Sequence, residues 1–256
     1  MIRAVLLDLD DTLVVEEAAA VATFRATADV AAAHHPIDPD ALARAARSRA
    51  REAWRAAPTH PYCARVGISS WEGMWCRFEG GAGDLPALRR WAPAYRREAW
   101  RRALADHGIE DDLLAEELAD RFSAERRARH ETFADAAPAL DALAGHYALA
   151  LVTNGASCLQ REKLAASGLA DRFDAVIVGG DVGVGKPDRR IFERALEAVS
   201  ARPDEAVMVG NNLSKDVEGA VAAGVRAIWV NREGAPAPPR VLAVGDLQEL
   251  PALLSR

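Results

Sequence analysis

The sequence predicts an α/β fold in which a doubly wound parallel sheet of the Rossmann-like type carries an all-helical insertion. Three observations support this prediction. An apolar run at residues 4–7 has no second strand near it in the chain, residues 16–130 show helical spacing of apolar side chains, and strand-like runs alternate with helical runs after residue 131. We therefore expect an α/β core domain at residues 1–15 and 131–256, and a helical domain at residues 16–130.

The first predicted strand, Ala4 to Leu7, leads directly into a cluster of acidic residues. A short uninterrupted apolar run is typical of a strand buried on both faces. Because side chains alternate along a strand, Asp8 and Asp10 point to the same side. Carboxylates this close raise one another's pKa unless a cation or a leaving-group proton separates them, so the pattern indicates a divalent metal beside a nucleophile and an acid/base partner. The alternative is that Asp10, Asp11 or Thr12 caps the helix that follows.

Residues 16–130 are predicted to form a helical bundle. The expected helices are Glu16 to Ala33, Pro39 to about Arg55, a helix marked by Trp91, Tyr95 and Trp100, and Asp111 to about Arg129. Trp71, Met74, Trp75 and Phe78 also recur at helical spacing, which predicts a further helix that ends at the glycines of residues 80–83. Five of the six tryptophans lie in this region, and large side chains of this kind are typical of a bundle core.

The remainder of the chain is predicted to supply the other strands of the sheet. The expected strands are Ala148 to Val152, Ala175 to Val178, Ala206 to Val209, Arg226 to Val230 and Val241 to Val244. The expected helices between and after them are Ser157 to Ala166, Asp188 to Val199, Ser214 to Ala223 and a last one that ends near Leu254. This alternation is typical of a parallel sheet, and the isolated first strand joins it most simply.

Composition favours an ordinary globular enzyme or binding protein. The chain has 256 residues, is 50% hydrophobic and carries a net charge of −6, which argues against a general nucleic-acid-binding surface. No apolar run reaches membrane-spanning length, and the acidic cluster at the N-terminus does not fit a signal peptide. Three cysteines without a CxxC pair offer no complete disulfide framework, so we expect a cytoplasmic protein.

The residues that follow the predicted strands form the candidate site, because ligands of open parallel sheets bind beyond the carboxyl ends of the strands. They are Asp8 and Asp10, then Thr153 and Asn154, then Gly185 and Lys186, and finally Gly210, Asn211 and Asp216. A carboxylate can accept a phosphoryl group, while a hydroxyl and an ammonium group can hold its oxygens. The set therefore predicts phosphoryl transfer, although each residue alone could be an ordinary cap or loop residue.

Four segments of the chain resemble the ordered motifs of the haloacid dehalogenase (HAD) superfamily. The segments are Asp8-Leu9-Asp10-Asp11-Thr12, Val152-Thr153-Asn154-Gly155, Gly185-Lys186-Pro187, and Gly210-Asn211-Asn212 with Asp216-Val217-Glu218-Gly219-Ala220. The helical insertion after the first motif resembles the C1 cap of the superfamily's phosphatases. The resemblance thus covers nearly the whole chain and implies a HAD core with a helical cap domain.

The resemblance also implies an activity and residue roles. The implied activity is Mg²⁺-dependent hydrolysis of a small phosphorylated metabolite through an aspartyl phosphate. Asp8 would be the nucleophile, and Asp10 would protonate the leaving oxygen and later activate water. Thr153, Asn154 and Lys186 would bind the phosphoryl group.

The implied metal ligands are Asp8, the Asp10 carbonyl, Asn211 and Asp216. The fourth motif usually begins Gly-Asp, whereas this chain has Asn211 in place of that Asp. An amide oxygen can ligate Mg²⁺, but the site loses one formal negative charge. We therefore expect weaker metal binding, with Asp216 as the main carboxylate of this motif.

Three other functions compete with this interpretation. A haloacid dehalogenase needs no acid for its leaving group and typically has a non-acidic residue at the place of Asp10. A nucleoside-triphosphate-binding loop matches the glycine and lysine spacing of residues 180–186, but Pro187 supplies neither the hydroxyl nor the N–H that such a loop needs. A phosphate sensor that has lost turnover is supported only by Asn211.

The identity of the substrate is open at this stage. Arg65, Arg77, Trp71 and Trp75 are candidate contacts in the helical domain, where substrate selection is expected. Sugar phosphates, phosphorylated carboxylic acids, nucleotides and flavin mononucleotide all fit, and the oligomeric state is not predicted.

Overall fold

A computed structural model describes residues 1–255, which divide into two compact units. One unit comprises Met1–Val15 and the chain from Glu131 onward, and the other comprises Glu16–His130. Among residues 1–255, no helix is both long and apolar enough to cross a membrane.

The first unit contains a six-stranded, fully parallel sheet. Its strands are β1 (Ala4–Leu7), β2 (Ala148–Thr153), β3 (Ala175–Val178), β4 (Ala206–Gly210), β5 (Arg226–Val230) and β6 (Leu242–Val244). The strand order is β3-β2-β1-β4-β5-β6, so β1 lies between β2 and β4. Strands β2 and β3 are added on one side of β1, and β4, β5 and β6 are added on the other. This confirms the predicted doubly wound α/β fold and the placement of the isolated first strand within the later sheet.

An apolar cluster lies on each face of the sheet, and successive side chains of a strand point alternately into the two clusters. Val5 and Leu7 of β1 belong to one apolar cluster, whereas Ala4 and Leu6 belong to the other. All four side chains are at most 1% exposed. The carboxyl end of β1 is thus held inside the molecule, and Asp8 follows it at 7% exposure.

Helices and helical turns cover the sheet. They are α7 (Ala136–Leu143), α8 (Ser157–Ser167), α9 (Gly179–Val182), α10 (Arg189–Ala198), α11 (Gly219–Ala222) and α12 (Leu250–Leu254), with three-residue 3₁₀ turns elsewhere. The predicted helix from Ser214 to Ala223 is shorter than expected. A π-helical turn at Leu213–Glu218 precedes α11, and π turns of this kind are frequent at functional sites.

The second unit is helical. Its helices are α1 (Glu17–Ala32), α2 (Pro39–Ala56), α3 (His60–Val66), α4 (Ser70–Gly73), α5 (Leu85–Ala105) and α6 (Asp112–Arg127). The long helices α1, α2, α5 and α6 pack around a shared core. The Phe24 and Phe122 rings lie 4.5 Å apart at their centroids, and the Trp54 and Tyr95 rings 5.4 Å.

The predicted helix through Trp71, Met74, Trp75 and Phe78 is wrong beyond its first turn. Helix α4 ends at Gly73, and Phe78 has a left-handed φ of 51° although its side chain is buried. The Arg96 guanidinium donates to the Gly73 and Cys76 carbonyls, and that of Arg127 to the Trp75 carbonyl. These long-range bonds satisfy main-chain acceptors that a helix would otherwise satisfy.

Trp75 is a core residue of the helical unit. Its ring is fully buried, with the Arg126 guanidinium 4.8 Å from the centroid and the His130 ring 6.0 Å away. Arg126 is also buried and pairs with Glu16. Of the two tryptophans proposed to contact substrate, Trp71 alone keeps partial exposure.

An ion pair between Arg232 and Asp135 holds the loop that follows β1. Arg232 donates to both Asp135 oxygens at 2.8 and 3.0 Å and to the Thr12 carbonyl at 2.8 Å. Asp135 also accepts from the Leu247 N–H at 2.8 Å. Burial acts to raise the pKa of Asp135, but the bonds from Arg232 and Leu247 outweigh it, and the pKa lies below its ordinary value.

The Asp135→Asn substitution is expected to lower the free energy of unfolding by about 2 kcal/mol at neutral pH, because it weakens a buried bond to a charged group. A lowered pKa stabilises the folded state above the unfolded value of about 3.9, and this contribution is lost as pH falls through the folded pKa. The difference from wild type should therefore shrink below about pH 4. Urea unfolding across this range measures it.

The matched control is Asp204→Asn, which removes the partner of Arg202 at the surface, where both side chains are more than 70% exposed. An exposed pair contributes little to stability, so this variant should unfold like wild type. An equal stability loss in both variants, or a difference for Asp135→Asn that persists at low pH, would contradict the expectation.

Candidate active site

The carboxyl ends of the central strands bring three charged side chains together inside the first unit. Asp8 follows β1, and its N–H donates to the Val209 carbonyl at 3.0 Å, which extends the pairing with β4 by one residue. Lys186 Nζ lies 2.6 Å from Asp8 Oδ1 and 2.8 Å from Asp216 Oδ1. One ammonium group therefore bridges two carboxylates.

All three side chains are at most 10% exposed, so this arrangement is a charged cluster in the interior. Burial acts to lower the pKa of Lys186, but attraction to Asp216 and Asp8 outweighs it and the pKa is raised. Burial raises the pKa of Asp216 to about 6, with attraction to Lys186 opposing and repulsion from Asp8 assisting the shift. The cluster has two acids and one base, so it holds an excess of negative charge.

Gly210 makes room for the Asp216 carboxylate at the end of β4. A Cβ atom at Gly210 would lie 2.4 Å from the Asp216 carboxyl carbon, closer than real Cβ contacts. The second Asp216 oxygen accepts from the Asn212 N–H at 2.9 Å. The π-helical turn that carries Asp216 is thereby fixed against the strand.

Thr12 connects the loop after β1 with the loop after β4. Its hydroxyl donates to Asp8 Oδ2 at 3.0 Å and accepts from the Asn211 N–H at 3.1 Å. The Asn211 amide oxygen lies 3.4 Å from the same hydroxyl, and the Asn211 carbonyl accepts from Trp229 Nε1 at 2.8 Å. Thr12 is fully buried and therefore orients Asp8 within the cluster, a more specific task than the helix cap considered for it.

Asn154 bonds to the main chain of Lys186. Its amide oxygen accepts from the Lys186 N–H at 2.6 Å, and its amide nitrogen donates to the Lys186 carbonyl at 2.9 Å. Both ends of the amide are engaged in this way, so Asn154 fixes the main chain of Lys186, while its contact with substrate stays a prediction.

Asp10 lies in a separate electrostatic environment. Lys163 Nζ is 3.1 Å from each Asp10 carboxylate oxygen, and Gln160 Nε2 donates to Oδ2 at 3.3 Å. The Thr153 hydroxyl donates to Gln160 Oε1 at 3.1 Å. Asp8 and Asp10 are thus paired with different lysines, Asp8 with Lys186 and Asp10 with Lys163.

Gln160 and Lys163 are site residues that the sequence analysis missed. Both lie on α8 and are 1% exposed, although they belong to polar residue types. With Leu159 and Leu164 they occupy one face of the helix, since residues three and four apart lie close together there. Two polar residues on an otherwise apolar face were the available signal.

The residues of the cluster fit a hard divalent cation. Among residues 1–255 there is no group of three or more His, Cys, Asp and Glu side chains that could hold a metal. A cation here would rely on two carboxylates, those of Asp8 and Asp216, together with the amide oxygen of Asn211 and a main-chain carbonyl. Oxygen donors of this type and the excess negative charge suit Mg²⁺.

The nucleotide-binding alternative does not match the geometry of Lys186. The Lys186 ammonium group is buried between the carboxylates of Asp8 and Asp216. Helix α10 begins only at Arg189, so the lysine does not open a helix as in a Walker A loop.

Comparisons with known proteins agree with this geometry. The family model of haloacid dehalogenase-like hydrolases matches residues 2–224. A phosphoserine phosphatase from Thermus thermophilus is 40% identical over 252 residues, which cover 97% of each chain.

Solved structures of the same fold cover the full chain. The magnesium-bound HAD-hydrolase YfnB from Bacillus subtilis has a TM-score of 0.68 at 21% identity, with all of both chains covered. A 2-haloacid dehalogenase from Pseudomonas syringae has a TM-score of 0.60 at 30% identity, covering 100% of this chain and 99% of that one. The matched family model, the 97% coverage by a relative and the acidic cluster after β1 lead to one conclusion. The chain belongs to the haloacid dehalogenase-like hydrolase family.

Proposed function

We propose that this protein is a Mg²⁺-dependent phosphatase that hydrolyses a small phosphomonoester through a phosphoryl group carried on Asp8. The observation that carries the proposal is that the two carboxylates, Asp8 and Asp10, lie in different environments. Asp8 is buried against Lys186, whereas Asp10 is partly exposed and paired with Lys163. Two acids in different environments are suited to different roles in one reaction.

In the proposed first step, an Asp8 oxygen attacks phosphorus, a bond forms between them, and the bond from phosphorus to the ester oxygen breaks. Asp10 donates a proton to the departing oxygen, which leaves as an alcohol. Lys186 neutralises negative charge near the transferred group, and Asn154 keeps Lys186 in place. The buried position of Asp8 limits competing attack by water.

In the proposed second step, Asp10 accepts a proton from a water molecule while the water oxygen attacks phosphorus. The bond between phosphorus and Asp8 breaks, which restores the Asp8 carboxylate and releases inorganic phosphate. Asp10 is thus an acid in the first half and a base in the second, so a complete cycle leaves both residues unchanged.

The residues that would hold Mg²⁺ are Asp8, the Asp10 carbonyl, Asn211 and Asp216. The bound cation supplies charge neutralisation that lets an anionic nucleophile approach an anionic phosphate. Lys186 contributes to the same neutralisation, because its ammonium group contacts two of these residues, Asp8 and Asp216.

The first candidate substrate is phosphoserine, since the relative that matches 97% of this chain is named for it. Phosphate release should be measured over a panel that also contains sugar phosphates, nucleotides and flavin mononucleotide, with Mg²⁺ and with a chelator. Metal-dependent release from one class supports the proposal and assigns the substrate. No release from any panel member by folded protein would contradict it and favour a phosphate sensor.

Dehalogenation is the second reaction class, favoured by the 30% identical haloacid dehalogenase structure. Halide departs without a proton, so in dehalogenation Asp10 would have no leaving group to protonate. A 2-haloacid in the same panel tests this alternative, and halide release faster than phosphate release would support it.

The Asn211→Asp substitution is expected to tighten Mg²⁺ binding roughly tenfold, because it adds a carboxylate to a site that has two. The control is Asn231→Asp, whose amide bonds only the Ala235 main chain among the contacts identified for it. Calorimetric Mg²⁺ titration measures both. Unchanged affinity in Asn211→Asp would show that residue 211 does not ligate the metal.

A further inference from the structure

We propose that Lys163 and Gln160 are positioning residues that hold the Asp10 carboxylate in the orientation needed to donate a proton to the leaving oxygen. The inference rests on the proposed function, because it assigns a task to Asp10 in the same reaction. It adds two residues that none of the four motifs contains.

The Lys163 ammonium group occupies a position where burial is costly. Lys163 is 1% exposed, and a buried ammonium group is unfavourable unless it is paired. If residue 163 had only a structural role in the core, an apolar side chain like those of Leu159 and Leu164 on the same helix would fill the position equally well. The buried Lys163 side chain instead pairs with the Asp10 carboxylate, which is 26% exposed. This contact indicates that Lys163 holds Asp10 in position rather than filling space in the core.

The contacts around Asp10 involve both of its carboxylate oxygens. Lys163 lies at equal distances of 3.1 Å from the two Asp10 oxygens, and Gln160 adds a bond to Oδ2. Contacts to both oxygens resist rotation of the carboxylate about its bond to Cβ. A general acid must keep its proton within reach of the departing oxygen, so restricted rotation raises the fraction of productive encounters.

The Gln160 amide is itself held in place by its neighbours. Its amide oxygen accepts from the Thr153 hydroxyl, which fixes the amide nitrogen toward Asp10. Gly155 leaves the space for this amide, because a Cβ there would lie 2.6 Å from Gln160 Nε2. A chain of contacts therefore runs from Thr153 through Gln160 to Asp10.

The test compares two substrates that differ in their need for an acid. Phosphoserine, or another alkyl phosphate shown to be turned over, releases a strongly basic alkoxide unless it is protonated. By contrast, 4-nitrophenyl phosphate releases a stable phenolate. Values of kcat/KM are compared because they include only the steps up to departure of the leaving group. Folding is checked by circular dichroism.

Lys163→Met should lower kcat/KM for the alkyl phosphate roughly 10- to 100-fold and for the aryl phosphate less than about threefold. Gln160→Met should show the same bias at smaller size, and it provides a second variant if Lys163→Met does not fold. In an Asp10→Asn background, Lys163→Met should cause no further loss, because its effect passes through Asp10. The control is Arg161→Met, which removes an exposed charge from the same helix.

The outcomes separate this inference from the proposed function. Suppose that the wild type turns over substrate. Equal losses of kcat/KM for both substrates in Lys163→Met would then overturn the positioning role alone, and so would a further loss when Lys163→Met is added to Asp10→Asn. The absence of turnover by folded wild type with every substrate would overturn the proposed function and the inference with it.

Discussion

The Asp8→Asn variant is expected to fold and to lose phosphate release by roughly 10⁴-fold or more, because an amide oxygen is a poor nucleophile toward phosphorus. Stability should not fall. Asp8 and Asp216 share one lysine, so replacing one of the two carboxylates relieves their repulsion. Lost activity together with an equal or higher melting temperature would indicate that the Asp8 carboxylate is the nucleophile and is not required for folding.

The control for this variant is Asp171→Asn, which makes the same chemical change at an exposed position of the same unit. Phosphate release and thermal unfolding are measured for both proteins. Substantial turnover by Asp8→Asn would exclude Asp8 as the group that accepts the phosphoryl group. A large loss of stability would instead show that Asp8 is needed mainly for folding.

The Lys186→Met variant is expected to lose both stability and activity. Removing the ammonium group leaves two buried carboxylates without their shared partner, and breaking a buried ion pair in this way costs about 3–5 kcal/mol. Urea unfolding in a chelator measures the loss. Phosphate release should fall in parallel, since the same ammonium group is proposed to neutralise charge during phosphoryl transfer.

Two comparisons sharpen the Lys186 experiment. Lys215→Met, at an exposed position, should retain wild-type stability and activity. The Asp8→Asn/Lys186→Met double variant should regain part of the lost stability, because only one carboxylate then remains unpaired. Unchanged stability of Lys186→Met would contradict the charged cluster, and a double variant less stable than the single one would show that Asp8 and Asp216 do not repel each other.

The strands were predictable because short, mostly apolar runs between helical segments leave a simple sequence pattern. The runs at Ala4–Leu7, Ala175–Val178 and Arg226–Val230 agree residue by residue with the structure. The position of Asp8 beside Lys186 follows from the same logic, since residues after parallel strands meet at one edge of a sheet.

The segment after Gly73 was not predictable in the same way. Its apolar residues have helical spacing, and Met74, Trp75 and Phe78 are buried as that spacing suggests. The backbone nevertheless leaves the helix, because guanidinium groups from α5 and α6 satisfy its carbonyls. Hydrogen bonds between residues far apart in the chain leave no local pattern.

The polar residues on α8 were missed for a related reason. Gln160 and Lys163 belong to no recognised motif, and an isolated lysine on a helix is usually exposed. Only the folded structure shows that both are buried and reach Asp10. Asn154 shows the opposite case, because the motif marked the residue while the structure assigns its amide to Lys186.

Asp8 is proposed to carry the phosphoryl group during turnover. Wild-type protein should be mixed with a substrate that it hydrolyses, quenched in acid within the first turnover, digested and examined by mass spectrometry, with Asp8→Asn treated in parallel. A phosphoryl group on the peptide that contains Asp8, present in wild type and missing from the variant, is the expected result. Rapid phosphate release without a phosphorylated peptide at any quench time, or with the label on another residue, would contradict the account.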